Sequence, residues 1–224
     1  RTNAKAFQLA MADACGLRIP RTIFTNDAAR ARAFIALGES SNGTVAKLLA
    51  QSLVQDERGA TYAARTRRVY RRQVPNAEAM RRVPVILQER LVKAYELRVA
   101  IFGRSVFAAR IDANHLQDWR SEPDPRDLRL TPWSLPHPLA ERCFHLMDRL
   151  GIVSGSFDFI VTGDGEPFFL EVNEQGQFLW LEHLCPELPL LDAFCAFVVS
   201  SDRHFVWKAA GARVRLQDVE RSES

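Results

Sequence analysis

Lysine is scarce in this chain, cysteine is sparse, and no long apolar run occurs. Of 224 residues, 30 are basic, yet only Lys5, Lys47, Lys93 and Lys208 are lysines; the rest are arginines. The 27 acidic residues leave a net charge of +3, too balanced for bulk nucleic-acid affinity. Cys15, Cys143, Cys185 and Cys195 form no C-x-x-C pair, which argues against a zinc site and a disulfide scaffold. A reducing cytoplasm is the simplest compartment. The longest apolar stretch, around 152–161, is cut by Ser154, Gly155, Ser156 and Asp158. It falls short of the roughly 20 residues of a membrane span. No signal peptide opens the chain. G-x-G-x-x-G and G-x-x-x-x-G-K-[ST] are both missing, which argues against a Rossmann site and a Walker loop. The five histidines share no spacing. The first residue is Arg, not Met, so the chain is expected to be a fragment.

What is present is an ordinary globular balance, with 47% hydrophobic and 25% charged residues. The pattern predicts a helix over 3–17 with Asn3 as its cap. A strand follows at 22–25, then a helix over 28–37 capped by Asn26-Asp27 and closed by Gly38, and a strand over 44–50. The arginine-rich stretch 55–73 reads as a hairpin turned by Glu57-Arg58-Gly59. A short helix at 76–82 precedes strands at 84–91, 96–102 and 105–111. Residues 112–136, with four prolines, read as a long irregular loop. A helix over 139–150 leads to strands at 153–161 and 167–172, joined by Thr162-Gly163-Asp164-Gly165. Helical pattern resumes from 177 and again at 188–199, and the tail after 211 is polar and expected to fray. Hairpins without regular βαβ alternation favour an α+β architecture.

The strongest chemical signal lies in the last two strands, Ser156-Phe157-Asp158-Phe159-Ile160-Val161 and Phe168-Phe169-Leu170-Glu171-Val172-Asn173. Each places a carboxylate in an apolar run, where a charge is costly unless paired or bound to a metal. Side chains alternate along a strand, so Glu171 and Asn173 share a face, and a hairpin would bring Asp158 to it. Two carboxylates and an amide oxygen make an all-oxygen site that suits magnesium. Pairing of each acid with an arginine is the competing reading. Gln88-Glu89-Arg90-Leu91 is followed by Glu96-Leu97-Arg98-Val99, where Glu96 and Arg98 share a strand face. An acid can hold ribose hydroxyls and a guanidinium can grip a phosphate; a cross-strand salt bridge is the alternative. Lys47 stands in the apolar strand Thr44-Val45-Ala46-Lys47, either facing a polyphosphate or holding its ammonium in water at a sheet edge. Phe178, Trp180 and His183-Leu184-Cys185 read as packing residues.

Taken in order, Lys5, Lys47, Gln88-Glu89, Glu96-x-Arg98, Arg120, Asp158 and Glu171-x-Asn173 resemble the ATP-grasp ligases. The likeness runs from about residue 3 to 199 and is nearest to the microviridin-type ligases that mature graspetides, which are ribosomally made and modified peptides. Ribosomal-protein glutamate ligases look like more distant relatives. The segment from Glu171 to Glu182 is especially like the peptide-maturing branch. So are two departures from the glutamate ligases: Ala50-Gln51-Ser52-Leu53-Val54-Gln55 where they carry a glycine-rich loop, and Glu174-Gln175-Gly176 where they carry a small residue, Pro and Gly.

The resemblance implies a two-lobed ATP-grasp fold whose antiparallel sheets clamp the nucleotide. Residues 1–92 would form the N-terminal lobe, 93–208 the C-terminal lobe and 209–224 a polar tail, with the N-terminal pre-ATP-grasp domain missing. Lys5 and Lys47 would touch the ATP phosphates. Glu89, Arg90 and Leu91 would lie along the adenine, Glu96 would hold the ribose, and Arg98 would support the nucleotide. Arg120 and Lys47 would be the catalytic cations, and Asp158, Glu171 and Asn173 would bind two magnesium ions. The implied reaction is ATP-dependent: a side-chain carboxylate of an acidic precursor peptide with a leader becomes an acyl phosphate and then an internal ester or amide. Arg65, Arg67 and Arg68 would form a basic wall drawing that peptide in; a solvated arginine-rich hairpin is the alternative. No nucleic-acid or membrane partner is expected, and a homodimer stays open. The other readings are a ligase adding a free amino acid to a protein or small molecule, a non-catalytic nucleotide- or peptide-binding scaffold, and, ranked last, an RNA-binding protein.

Overall fold

The computed structural model describes residues 4–47, 53–55, 61–63, 66–113, 116, 124, 127–209 and 214–218. Two compact units emerge. The first comprises Arg1–Ile19, Lys93–Asn114 and Glu122–Ser224; the second comprises Pro20–Val92 and His115–Ser121.

The second unit holds α2 (Ala28–Glu39), α3 (Ala77–Arg82), and the strands β1 (Thr22–Thr25), β2 (Thr44–Lys47), β5 (Arg67–Val69) and β6 (Val85–Glu89). The four strands form an antiparallel sheet in the order β1-β6-β2-β5. Strands β3 (Leu53–Gln55) and β4 (Thr61–Ala63) pair separately as an antiparallel ladder; the expected turn at 57–59 lies outside the described residues. Asp27 caps α2 by accepting from the N–H groups of Ala29 and Arg30, as its position before an apolar-periodic run predicts. Asn76 caps α3 by accepting from Ala79 N–H. Ala28, Ala31, Phe34, Ile35, Met80 and Leu87 bury the inner face of this unit.

In the first unit, five antiparallel strands run in the order β11-β10-β7-β8-β9. They are β7 (Lys93–Phe102), β8 (Ser105–Asp112), β9 (Arg129–Trp133), β10 (Ser154–Thr162) and β11 (Pro167–Asn173). Alternation sends Phe157, Phe159, Phe169 and Val172 into a core face, where all four are buried and the three rings pack within 6.3 Å of one another. On the other face Ala100, Phe102, Phe107 and Ala109 pack under α5 (Leu179–Leu184) and α6 (Leu190–Ser200). Helix α4 (His137–Leu150) ends at Gly151, whose φ of 70° is the left-handed conformation that favours glycine.

Three expectations need correction. Helix α1 (Lys5–Ala14), expected in the lobe of residues 1–92, belongs to the first unit because it packs on β11 and α4. Its Gln8 amide donates to the Val172 carbonyl (2.7 Å) and accepts from the Val172 N–H (3.1 Å), completing the hydrogen bonds of an edge strand as another strand would. Residues 112–136 contain β9, which tolerates Pro132 because it is the sheet's edge. The polar tail is docked where it is described. Leu216 N–H donates to the buried Glu182 carboxylate (3.0 Å), and Val214 N–H to Asp192 (3.2 Å). Glu182 also accepts from Leu191 N–H at the start of α6 (2.6 Å), which tethers tail, α5 and α6 together.

Candidate functional site

Three strands of the first unit set the site in rows. Arg98 of β7 stands opposite Asp158 of β10, which stands opposite Glu171 of β11. One pleat on, Ala100, Ser156 and Asn173 form the next row. Partners opposite each other in a ladder share a sheet face, so Arg98, Asp158, Glu171, Ser156 and Asn173 all point one way. A bulge at Leu170 adjusts the register between Asp158–Glu171 and Phe159–Phe169. It lets Val172 and Phe169 both enter the core while Glu171 stays on the polar face.

Each carboxylate already meets a cation of this chain. Arg98 donates from Nη1 to Asp158 (2.6 Å) and from Nη2 to the Gly176 carbonyl (3.3 Å). Both charged side chains are nearly enclosed, at 5% and 8% exposure, so the guanidinium offsets a charge that could not stay buried alone. Arg98, expected to support the nucleotide, thus holds Asp158 and the loop after Asn173. Glu171 meets Lys5, 3.1 Å away, and this pair is about a quarter exposed. Lys5 and Gln8 lie three residues apart on one face of α1, so the helix that caps β11 also delivers the ammonium to Glu171. Glu96 is buried and paired with Lys93, a lysine the sequence reading did not single out.

The loop leaving β11 is fixed by local hydrogen bonds. Asn173 accepts on Oδ1 from Gln175 N–H (3.0 Å), an Asx-type turn. Gly176 follows with φ 83°, and a Cβ there would sit 2.9 Å from the Phe178 ring. Phe178 is buried in the α5–α6 core, and Trp180 packs against that core and donates to the Gln177 carbonyl, so both act as packing residues as expected. Cys185 is also core, with its pKa pushed up to about 12 by burial and by the neighbouring Glu187 carboxylate.

Of the remaining expected site residues, several lie in the second unit. Lys47 ends β2 opposite Ile86 on the face that also carries Val45 and Gln88. Glu89 accepts from Arg21 N–H (2.8 Å), Arg90 N–H donates to the Gly43 carbonyl (2.9 Å), and Leu91 follows β6 directly. Arg67 and Arg68 are exposed on the edge strand β5, and Arg68 and Arg72 both lie 5.2 Å from the Tyr70 ring centre. Behind β2 and β6, on the face away from Lys47, an apolar cavity of about 300 Å³ is lined by Ala46, Val69, Met80 and Leu87, with Arg67 and Gln73 at its wall. Arg65 and Arg120 lie outside the described residues.

The donor chemistry fits magnesium: carboxylate, carboxylate and amide oxygens are the hard ligands that ion takes. A second observation agrees. The Ser156 Oγ, on the same face beside Asp158 and Asn173, is fully buried and has no hydrogen-bond partner among the described residues. No group of three or more His, Cys, Asp or Glu side chains that could hold a metal ion is present among the described residues, so an ion at this face would need the Asn173 amide and neighbouring polar groups besides the two carboxylates. Among the described residues, no helix is long and apolar enough to cross a membrane.

No family model matches the chain, and no curated protein does. Solved structures do match. The macrocyclase MdnC of Microcystis aeruginosa MRC, solved with the precursor peptide MdnA, is 31% identical with a TM-score of 0.79; the match covers 90% of this chain and 62% of MdnC. A ligase from Chryseobacterium gregarium, described as RiPP-associated and ATP-grasp and solved with ADP and a leader and core peptide, is 27% identical with a TM-score of 0.81, over 90% of this chain and 61% of that one. The ATP-grasp ligase PsnB, solved with a variant minimal precursor, magnesium and ADP, is 25% identical with a TM-score of 0.64, over 87% and 59%. The chain therefore resembles the ATP-grasp ligases and macrocyclases of ribosomal peptide maturation in sequence and fold, and spans about six-tenths of the length of these relatives.

Proposed function

Starting from that likeness, we propose that this chain carries the ATP- and magnesium-binding part of a ligase that crosslinks an acidic precursor peptide. The observation that carries the reading is the row Arg98–Asp158–Glu171 beside Asn173: an oxygen-rich face held rigid in a buried sheet. Asp158, Glu171 and Asn173 would hold the magnesium, which supplies charge neutralisation at the phosphates. Arg98 keeps Asp158 oriented, and the Asn173 turn fixes the amide. Lys5 balances Glu171 and would shift to a phosphate oxygen when nucleotide is bound. Lys47 adds a second ammonium, Glu96 would take the ribose hydroxyls, and Glu89 to Leu91 the adenine edge. Arg120 would steady the transferring group.

The reaction balances as two displacements. A peptide carboxylate oxygen attacks the γ-phosphorus of ATP, and the bond to the β-phosphate oxygen breaks to release ADP. A peptide hydroxyl or amine then attacks the acyl carbon, loses its proton, and expels inorganic phosphate. The product is an ester or amide, and the peptide is lighter by one water. Transfer of this kind depends on positioning and electrostatic stabilisation rather than on a protein nucleophile.

The second unit supplies features suited to the peptide. The apolar cavity with Arg67 at its wall would take a hydrophobic side chain of the leader, and exposed Arg67 and Arg68 would attract acidic core residues. The test is ADP release and peptide mass measured together, with magnesium and an acidic precursor. ADP release with loss of one water per ring supports the reading. A gain of an amino-acid mass, or ADP release indifferent to peptide, refutes it.

A further inference from the structure

The hydroxyl of Ser156 is a fully buried polar group on the carboxylate face that the proposed reaction leaves without a task. Ser156 is fully buried and its Oγ has no hydrogen-bond partner among the described residues. A buried hydroxyl without a partner costs about 1–3 kcal/mol, and alanine would fill the same space without that cost. Its place is well defined. The ladder is regular from Ser156 to Asp158, so the two side chains share a face. Ser156 stands directly opposite Asn173, while its other neighbour, Ala100, brings no polar group. Asn173 Oδ1 accepts from Gln175 N–H with one lone pair, and Asp158 is held by Arg98, whose own Nε is also buried and has no partner among the described residues. Two unsatisfied polar groups thus sit in adjacent rows of the same face.

Magnesium dehydrates reluctantly and keeps several waters, whose protons need acceptors. A hydroxyl can accept one such proton and donate its own. We infer that Ser156 is a positioning residue of the cation site, its hydroxyl holding a water of the ion's hydration shell between Asp158 and Asn173. This rests on the magnesium reading above and adds a residue to it. Outer-shell partners of this kind typically change metal affinity by about 10- to 100-fold when removed.

The test uses manganese as the probe ion, titrated by electron paramagnetic resonance into the full chain with ADP present. Wild type, Ser156→Ala, Ser156→Thr and Glu171→Gln are compared. Ser156→Ala is expected to weaken manganese binding about 10-fold. Its ADP affinity in chelator and its melting temperature without metal stay as in wild type, or the latter rises. Ser156→Thr, which keeps the hydroxyl, restores manganese affinity. Unchanged manganese affinity in Ser156→Ala overturns the inference while leaving the magnesium reading standing, provided Glu171→Gln loses the ion. A fall in the metal-free melting temperature of Ser156→Ala also overturns it, since the hydroxyl would then serve the fold. If wild type takes up no manganese with ADP, both this inference and the magnesium reading fail.

Discussion

Strand β10 has two faces that differ in kind. On one, Phe157 and Phe159 stack and meet Phe169 edge-on, all fully buried, with no polar group to satisfy. On the other, Ser156 and Asp158 are also buried but are polar: Arg98 pairs the carboxylate, while the hydroxyl has no partner among the described residues. The apolar face gains stability from buried area and close packing. The polar face gains little stability from its ion pair, because desolvation offsets most of the attraction. Its value lies in holding groups in fixed positions. The same nine residues therefore serve folding on one side and chemistry on the other.

That contrast can be broken from either side. Ranked by folding free energy, Phe159→Ala should have the largest effect, a loss of about 4 kcal/mol in urea unfolding, because it opens a cavity in the ring cluster. A loss under about 1 kcal/mol would mean that the apolar face is not the stabilising one. Next comes Arg98→Met, expected to cost about 3 kcal/mol by stranding the Asp158 charge in the sheet. Adding Asp158→Asn should recover most of that loss; no recovery would place the role of Arg98 in its bond to Gly176 instead. Glu171→Gln should change stability by less than about 1 kcal/mol, since its pair with Lys5 is partly solvated. It should nevertheless abolish ADP-dependent manganese binding. Lys5→Met should be similarly mild in stability while strengthening manganese binding without nucleotide, because the competing ammonium is gone. A weaker ion would show that Lys5 supports the site rather than competing for it. The smallest effect concerns the thiols. Burial pushes Cys143 up to about 12, and burial with Glu187 does the same for Cys185. Both remain thiols at pH 8, so a maleimide should label exposed Cys195 and leave these two intact in the folded chain. Labelling of Cys143 without denaturant would contradict its place in the core.

Alternation and a turn signal were enough to place Asp158, Glu171 and Asn173 on one face, because side-chain direction in a strand is a local property. Partners were harder to read. Arg98 is 60 residues from Asp158, and only the antiparallel register of β7 and β10 brings them opposite. The competing expectation of an arginine partner applies to Asp158, while Glu171 is met by a lysine from a helix far away in sequence. The bulge at Leu170 has no residue signature, since leucine is an ordinary strand residue. The edge strand β9 was hidden by Pro132, which normally argues against a strand and is harmless because, among the described residues, no further strand pairs beyond β9 and needs a donor there. Glu182 lies on the short helix α5 and is buried. Its burial depends on the tail folding back, which no local pattern announces.

The account turns on whether Asp158, Glu171 and Asn173 together hold a divalent ion. Crystals of the full chain grown with ADP and manganese, measured at the manganese absorption edge, would address this directly. The predicted result is an anomalous peak within bonding distance of carboxylate oxygens of Asp158 and Glu171 and the amide oxygen of Asn173, with Lys5 withdrawn from Glu171. ADP bound with no peak at this face, and with Lys5 still on Glu171, would contradict it.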